Sequence, residues 1–65
     1  MNEEEAEHQA TIQGYEIAIG VFLNAPLRRE EYRERFRDME EAARQRNMHS
    51  ATIAVLRDLQ KRLSE

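Results

Sequence analysis

A chain of 65 residues without cysteine is one domain at most, with neither disulfides nor thiolate metal sites to hold it together. So short a chain buries only about 60% of the surface its unfolded state exposes, which leaves oligomerisation or docking on a partner as the stabilising device. The net charge of −3 argues against nucleic acid and anionic membranes as partners.

The lack of cysteine fits a reducing compartment. The N-terminus is acidic where a secretory signal would be basic. The longest apolar run, Ile17 to Leu23, is far short of the ~20 residues of a membrane span. A cytoplasmic protein without a membrane role is expected. Two Gly, one Pro and many Ala, Glu, Arg and Leu make the composition helical, and no stretch alternates as a strand would.

The first predicted helix covers about residues 4–23. Glu3, Glu4 and Glu5 suit the positive end of its dipole, and Asn24-Ala25-Pro26 ends it, because the residue before a proline is pushed out of the helical region. Asn24 or Ala25 then caps a second helix over about 26–46, with Pro26 in its first turn. Asn47 can close that helix in a left-handed conformation. A third helix covers about 50–63, capped by His49 or Ser50, of which Ser50 is the better oxygen acceptor. Both connections are short, which favours antiparallel neighbours. Helices one and two, each about 30 Å long, match as a hairpin with the third folded back.

Turning each residue by about 100° sorts the side chains. Helix two carries a narrow apolar stripe of Tyr32, Phe36, Met39 and Ala43. Helix three carries Ile53, Leu56, Leu59 and Leu63, bordered by Val55. Helix one has two apolar faces. Ile12, Tyr15, Ile19 and Leu23 form one; Ala6, Ala10, Gly14 and Ala18, flanked by Ile17 and Val21, form the other, and Phe22 lies between them. A helix apolar nearly all round is a buried helix. Alanine and glycine every fourth residue let two backbones approach closely, a reason to accept the helix-propensity cost of Gly14. The expected self-association interface is therefore Ala6, Ala10, Gly14, Ile17, Ala18, Val21 and Phe22.

Charge is uneven. Residues 1–16 hold five Glu and no Lys or Arg, and the remainder holds ten basic and eight acidic residues. From Arg28 to Arg46, thirteen of nineteen residues are charged, six of them acidic. Glu31–Arg35, Arg37–Glu41 and Glu40–Arg44 stand at i,i+4 and Glu30–Arg33 at i,i+3, spacings that neutralise a solvated face. Residues 41–62 have the spacing of a helix-turn-helix, with Ala43, Asn47, Met48, Ile53 and Leu56 at its small, turn and buried positions. The exposed side of its second helix, Ala51, Ala54 and Val55, offers little to read base edges. Arg28, Arg29, Arg33, Arg37, Arg57, Lys61 and Arg62 are the residues placed to contact a partner or phosphates.

Glu5 and His8 match the Glu-x-x-His spacing of di-metal bundles, but the further inward glutamates are missing. No metal and no cofactor is expected. There is no phosphate-cradling glycine loop, and Ser50 beside His49 does not make a triad, so no enzyme is expected. The reading is an all-α, dimeric helical bundle in the cytoplasm. It acts as a small protein-binding module (adaptor, inhibitor or regulator) that pairs with itself through helix one and with another protein. The alternative is a dimeric DNA-binding regulator using residues 41–62.

Overall fold

The computed structural model describes residues 2–24 and 26–65. They form α1 (Glu3–Asn24), α2 (Arg29–Gln45) and α3 (Ser50–Ser64), with no strand among the described residues. The all-helical reading stands, and the bounds of α1 and α3 fall within a residue of those expected.

α2 begins three residues later than expected. Two of its own first-turn side chains hold the preceding segment out of the helix. Glu31 Oε1 accepts the Arg28 amide at 3.0 Å, and the Tyr32 hydroxyl accepts the Leu27 amide at 3.1 Å. Arg28, extended at φ −77° and ψ 164°, is the N-cap. Its guanidinium cannot accept a hydrogen bond, so only the glutamate half of a capping box operates. Asn24 does not cap α2. It ends α1, where its Nδ2 donates to the Gly20 carbonyl at 2.8 Å. Ala25, the other expected cap, lies outside the described residues.

The α2–α3 turn follows the expected chemistry. Asn47 has φ 56°, and the Met48 and Asn47 amides donate to the Ala43 and Arg44 carbonyls at 3.0 and 3.1 Å. These are the two bonds of a Schellman motif. The cap of α3 is His49 rather than Ser50: His49 Nδ1 accepts the Ala51 amide at 3.0 Å, and Ser50 is the first helical residue.

The packing order corrects the expected hairpin of helices one and two. α3 is the central helix, lying along both others. It runs antiparallel to α2, as the contacts step in opposite senses: Arg29 Nη2 donates to the Arg62 carbonyl, Gln60 Nε2 to the Phe36 carbonyl, and Arg57 Nη2 to Glu40. It runs parallel to α1, because Thr52 meets Ala10 and Val55 meets Gly14. α1 and α2 meet directly only over a short stretch, where the Phe22 ring lies 4.7 Å from Tyr32 and 5.5 Å from Phe36.

The core sits where the three helices converge. Phe36 and Leu56 are its fully buried large side chains, joined by Ala18 and Ala43 and surrounded by half-buried Ile17, Val21, Tyr32, Met39, Met48, Ile53, Leu59 and Leu63. Every residue of the predicted stripes on α2 and α3 takes part. Glu40 ties α2 to α3 at the edge: Oε2 accepts from Arg44 at 2.6 Å and Arg57 at 3.3 Å, and Oε1 accepts from Gln60 at 2.7 Å.

Candidate functional site: the outer face of the first helix

The small-residue stripe of α1 is used inside the chain. Ala10, Gly14 and Ala18 are the buried residues of α1. Thr52, fully buried, donates its hydroxyl to the Ala10 carbonyl at 2.7 Å. A β-carbon added at Gly14 would stand 2.8 Å from Val55 Cβ, so the glycine is what lets α3 close on α1. The close backbone approach read from the sequence is present, and the neighbour that makes it is α3. Of the seven residues assigned to a self-association interface, Ala10, Gly14 and Ala18 are therefore covered within the chain. Ile17 and Val21 pack against the core. Ala6 is exposed near the end of the helix, and Phe22 is partly open and stacked on α2.

The opposite face of α1 is left open. Ile12, Tyr15 and Phe22 are each over 40% exposed, Ile19 is 56% exposed and Leu23 is 79% exposed. At about 100° per residue these five share one side of the helix, half a turn away from Ala10, Gly14 and Val21. Large apolar side chains are the ones a helix normally turns inward, yet α1 turns its smallest residues inward and its largest outward. The sequence distinguished the two faces but not which of them α3 would take. Side-chain size was the available signal: the face of small residues admits the closer neighbour. Thr52 and Val55, three residues apart, share the side of α3 that faces α1.

The charged residues singled out in the sequence divide into two groups. Arg33, Arg37, Arg57 and Lys61 line a shallow groove between α2 and α3 with Glu34, Gln60 and Ser64. Arg29 and Arg62 lie at the end of the α2–α3 pair, and Arg28 precedes them at the cap. Many of these charges are engaged: Arg57 with Glu40 at 3.3 Å, Arg62 with Asp58 at 2.8 Å, and Arg37 near Asp38 at 3.9 Å. The hydrogen bond that Arg62 Nε donates to Asp58, and then the Asp58 charge, raise the Arg62 pKa above its ordinary value. Of the charge spacings read from α2, Glu40–Arg44 forms an ion pair, whereas Glu31 is used as a cap and Arg33 reaches Ser64 Oγ.

The 41–62 segment comprises the last turn of α2, the Asn47 turn and most of α3, and over residues 57–62 α3 lies along the earlier part of α2, outside that segment. Val55, read as lying on its exposed side, is buried against Gly14. Glu5, His8 and Glu16 are all exposed, and no three His, Cys, Asp or Glu among the described residues are grouped to hold a metal. No helix of the described residues is long and apolar enough to cross a membrane. No protein family, no curated protein and no solved structure matches this chain.

Proposed function

We propose that this chain is a small non-enzymatic protein-binding module, an adaptor, inhibitor or regulator, whose working surface is the outer face of α1. One observation carries the reading: Ile12, Tyr15, Ile19, Phe22 and Leu23 stand exposed in one stripe on a helix whose other side is already packed. Exposed apolar patches of several hundred Å² mark interaction surfaces in folded proteins, and a helix presenting apolar anchors at this spacing is a common protein-recognition element. The interface moves from the small-residue face to this one, since α3 already occupies the former.

Site-specific photocrosslinking tests the reading. A benzophenone amino acid replaces Leu23, the most exposed of the five, in the full chain expressed in its own host. The expected result is a discrete adduct, lost when Ile19→Glu is added and absent when the probe replaces Arg35 on the exposed side of α2. A probe at position 23 that yields no discrete adduct overturns the reading.

A second reading, a DNA-binding regulator, has one observation in its favour: Arg33, Arg37, Arg57 and Lys61 share a groove whose lining includes one acid, Glu34, with Glu40 pairing Arg57 at its edge. Phosphate-driven binding to random duplex weakens steeply with salt. Absence of binding at low salt removes this reading.

A further inference from the structure

We propose that the occupant of the outer face of α1 is a second copy of this chain, lying antiparallel across it. The inference rests on the reading of that face as a binding surface and adds the identity and direction of what covers it.

The first argument is surface area. A folded monomer of 7.7 kDa is expected to expose roughly 4,300 Å². This chain exposes 4953 Å². The excess approaches the ~800 Å² that each partner contributes to a standard-size interface, and the open stripe on α1 is where apolar surface is concentrated. Lining that stripe against a copy of itself is the self-complementary arrangement a two-fold dimer requires.

The second argument is charge, and it selects the direction. The first turns of α1 hold Glu3, Glu4, Glu5 and Glu7, and no Lys or Arg precedes Arg28. At about 100° per residue, Glu4 and Glu5 flank the outer face, in line with Phe22 and Ile12 respectively. A parallel pair would bring glutamates onto glutamates and align two helix dipoles. An antiparallel pair centred between Ile17 and Ala18 sets Ile12 opposite Leu23 and Tyr15 near Ile19. It also carries the acidic start of each α1 to the level of the partner's segment just after α1, where Arg28 and Arg29 are exposed. Arg29 is bonded to the Arg62 carbonyl. Asp58 offsets Arg62, which leaves Arg28 and Arg29 as the cations that meet the acidic start. Apolar pairing in the middle with opposite charges at both ends defines a self-complementary surface.

Sedimentation equilibrium on the full chain gives the first readout, with an expected mass of twice 7.7 kDa and association that weakens with salt. Ile19→Glu places a charge in the middle of the contact and is expected to weaken dimerisation by roughly 100-fold or more. The variant stays helical, because residue 19 is exposed in the single chain. Because the chain has no cysteine, direction is read by oxidation of engineered thiols. Ile12→Cys mixed with Leu23→Cys is expected to give a disulfide-linked heterodimer, and neither variant alone to link with itself. Equivalent residues stand about 16 Å apart along an antiparallel pair, beyond disulfide reach.

A monomer at all concentrations overturns the second copy, and a dimer indifferent to Ile19→Glu overturns its place on this face. Self-linking by either single variant, or no disulfide in the mixture, overturns the antiparallel direction. The Leu23 photoprobe separates this inference from the broader reading. An adduct to a different protein from a monomeric chain overturns the second copy and keeps the binding surface, whereas neither adduct nor dimer overturns both.

Discussion

At the scale of single residues, the two glycines of α1 show how little a helix-propensity argument decides alone. Both lie inside one helix, and each costs up to about 1 kcal/mol against alanine. Gly14 sits on Val55: an added β-carbon would meet Val55 Cβ at 2.8 Å and both its methyl groups at 3.1 Å. A branch carbon fixed to the α3 backbone cannot swing aside, so the helices would have to part. Gly14→Ala is expected to lower unfolding stability in urea by about 1–3 kcal/mol, and Val55→Ala in the same chain, which keeps the clashing β-carbon, is expected not to restore it. Around Gly20 an added β-carbon meets nothing within 4 Å. Gly20→Ala is expected to raise stability by up to about 1 kcal/mol, measured in the same titration. The four-residue recurrence of small side chains made the importance of Gly14 legible in the sequence. What it could not supply was the partner, since a small residue invites any backbone, whether from the same chain or another.

At the scale of elements, local chemistry decided the boundaries that were read correctly, and competition between side chains decided those that were not. Asn47 takes the left-handed geometry that asparagine tolerates, and Met48 beside Ala43 completes the motif with an apolar contact into the core. Proline is well suited to a first turn, which puts the expected start of α2 at Pro26. Glu31 and Tyr32 instead bond the Arg28 and Leu27 amides and delay the helix, a choice that pattern alone does not reveal. His49 caps α3 with a ring nitrogen, and the first turn of α3 contains no acidic residue. His49→Asp would supply both a stronger cap acceptor and a negative charge at the positive end of the helix dipole. A gain of about 0.5–1 kcal/mol is expected in thermal or urea unfolding. If His49→Asp lowers stability, the His49 ring serves the turn by packing rather than by capping.

At the scale of the whole molecule, the apolar stripes on α2 and α3 were legible as faces, and their residues are the core. The arrangement of helices was less so. Periodicity assigns each helix a face to bury but does not say which neighbour covers it, and short connections suggest sequential pairing. Here the third helix takes the middle. It presents Thr52 and Val55 to α1 while Gln60 and Arg57 engage α2. α1 and α2 meet over a shorter stretch, which includes the ring contacts of Phe22 with Tyr32 and Phe36. Isolated helices of this length are marginal in water and depend on packing for their stability. A chain ending at His49 is therefore expected to lose far more helix by far-UV circular dichroism than the 15 residues of α3 represent, since both remaining helices lose their principal neighbour. A chain of residues 26–65 keeps the α2–α3 pair and its Glu40 bonds, and is expected to retain the larger share of its helical signal per residue. Equal retention by the two fragments would mean that α1 and α2 support each other without α3, and the central place of α3 would then be a consequence of the fold rather than its cause.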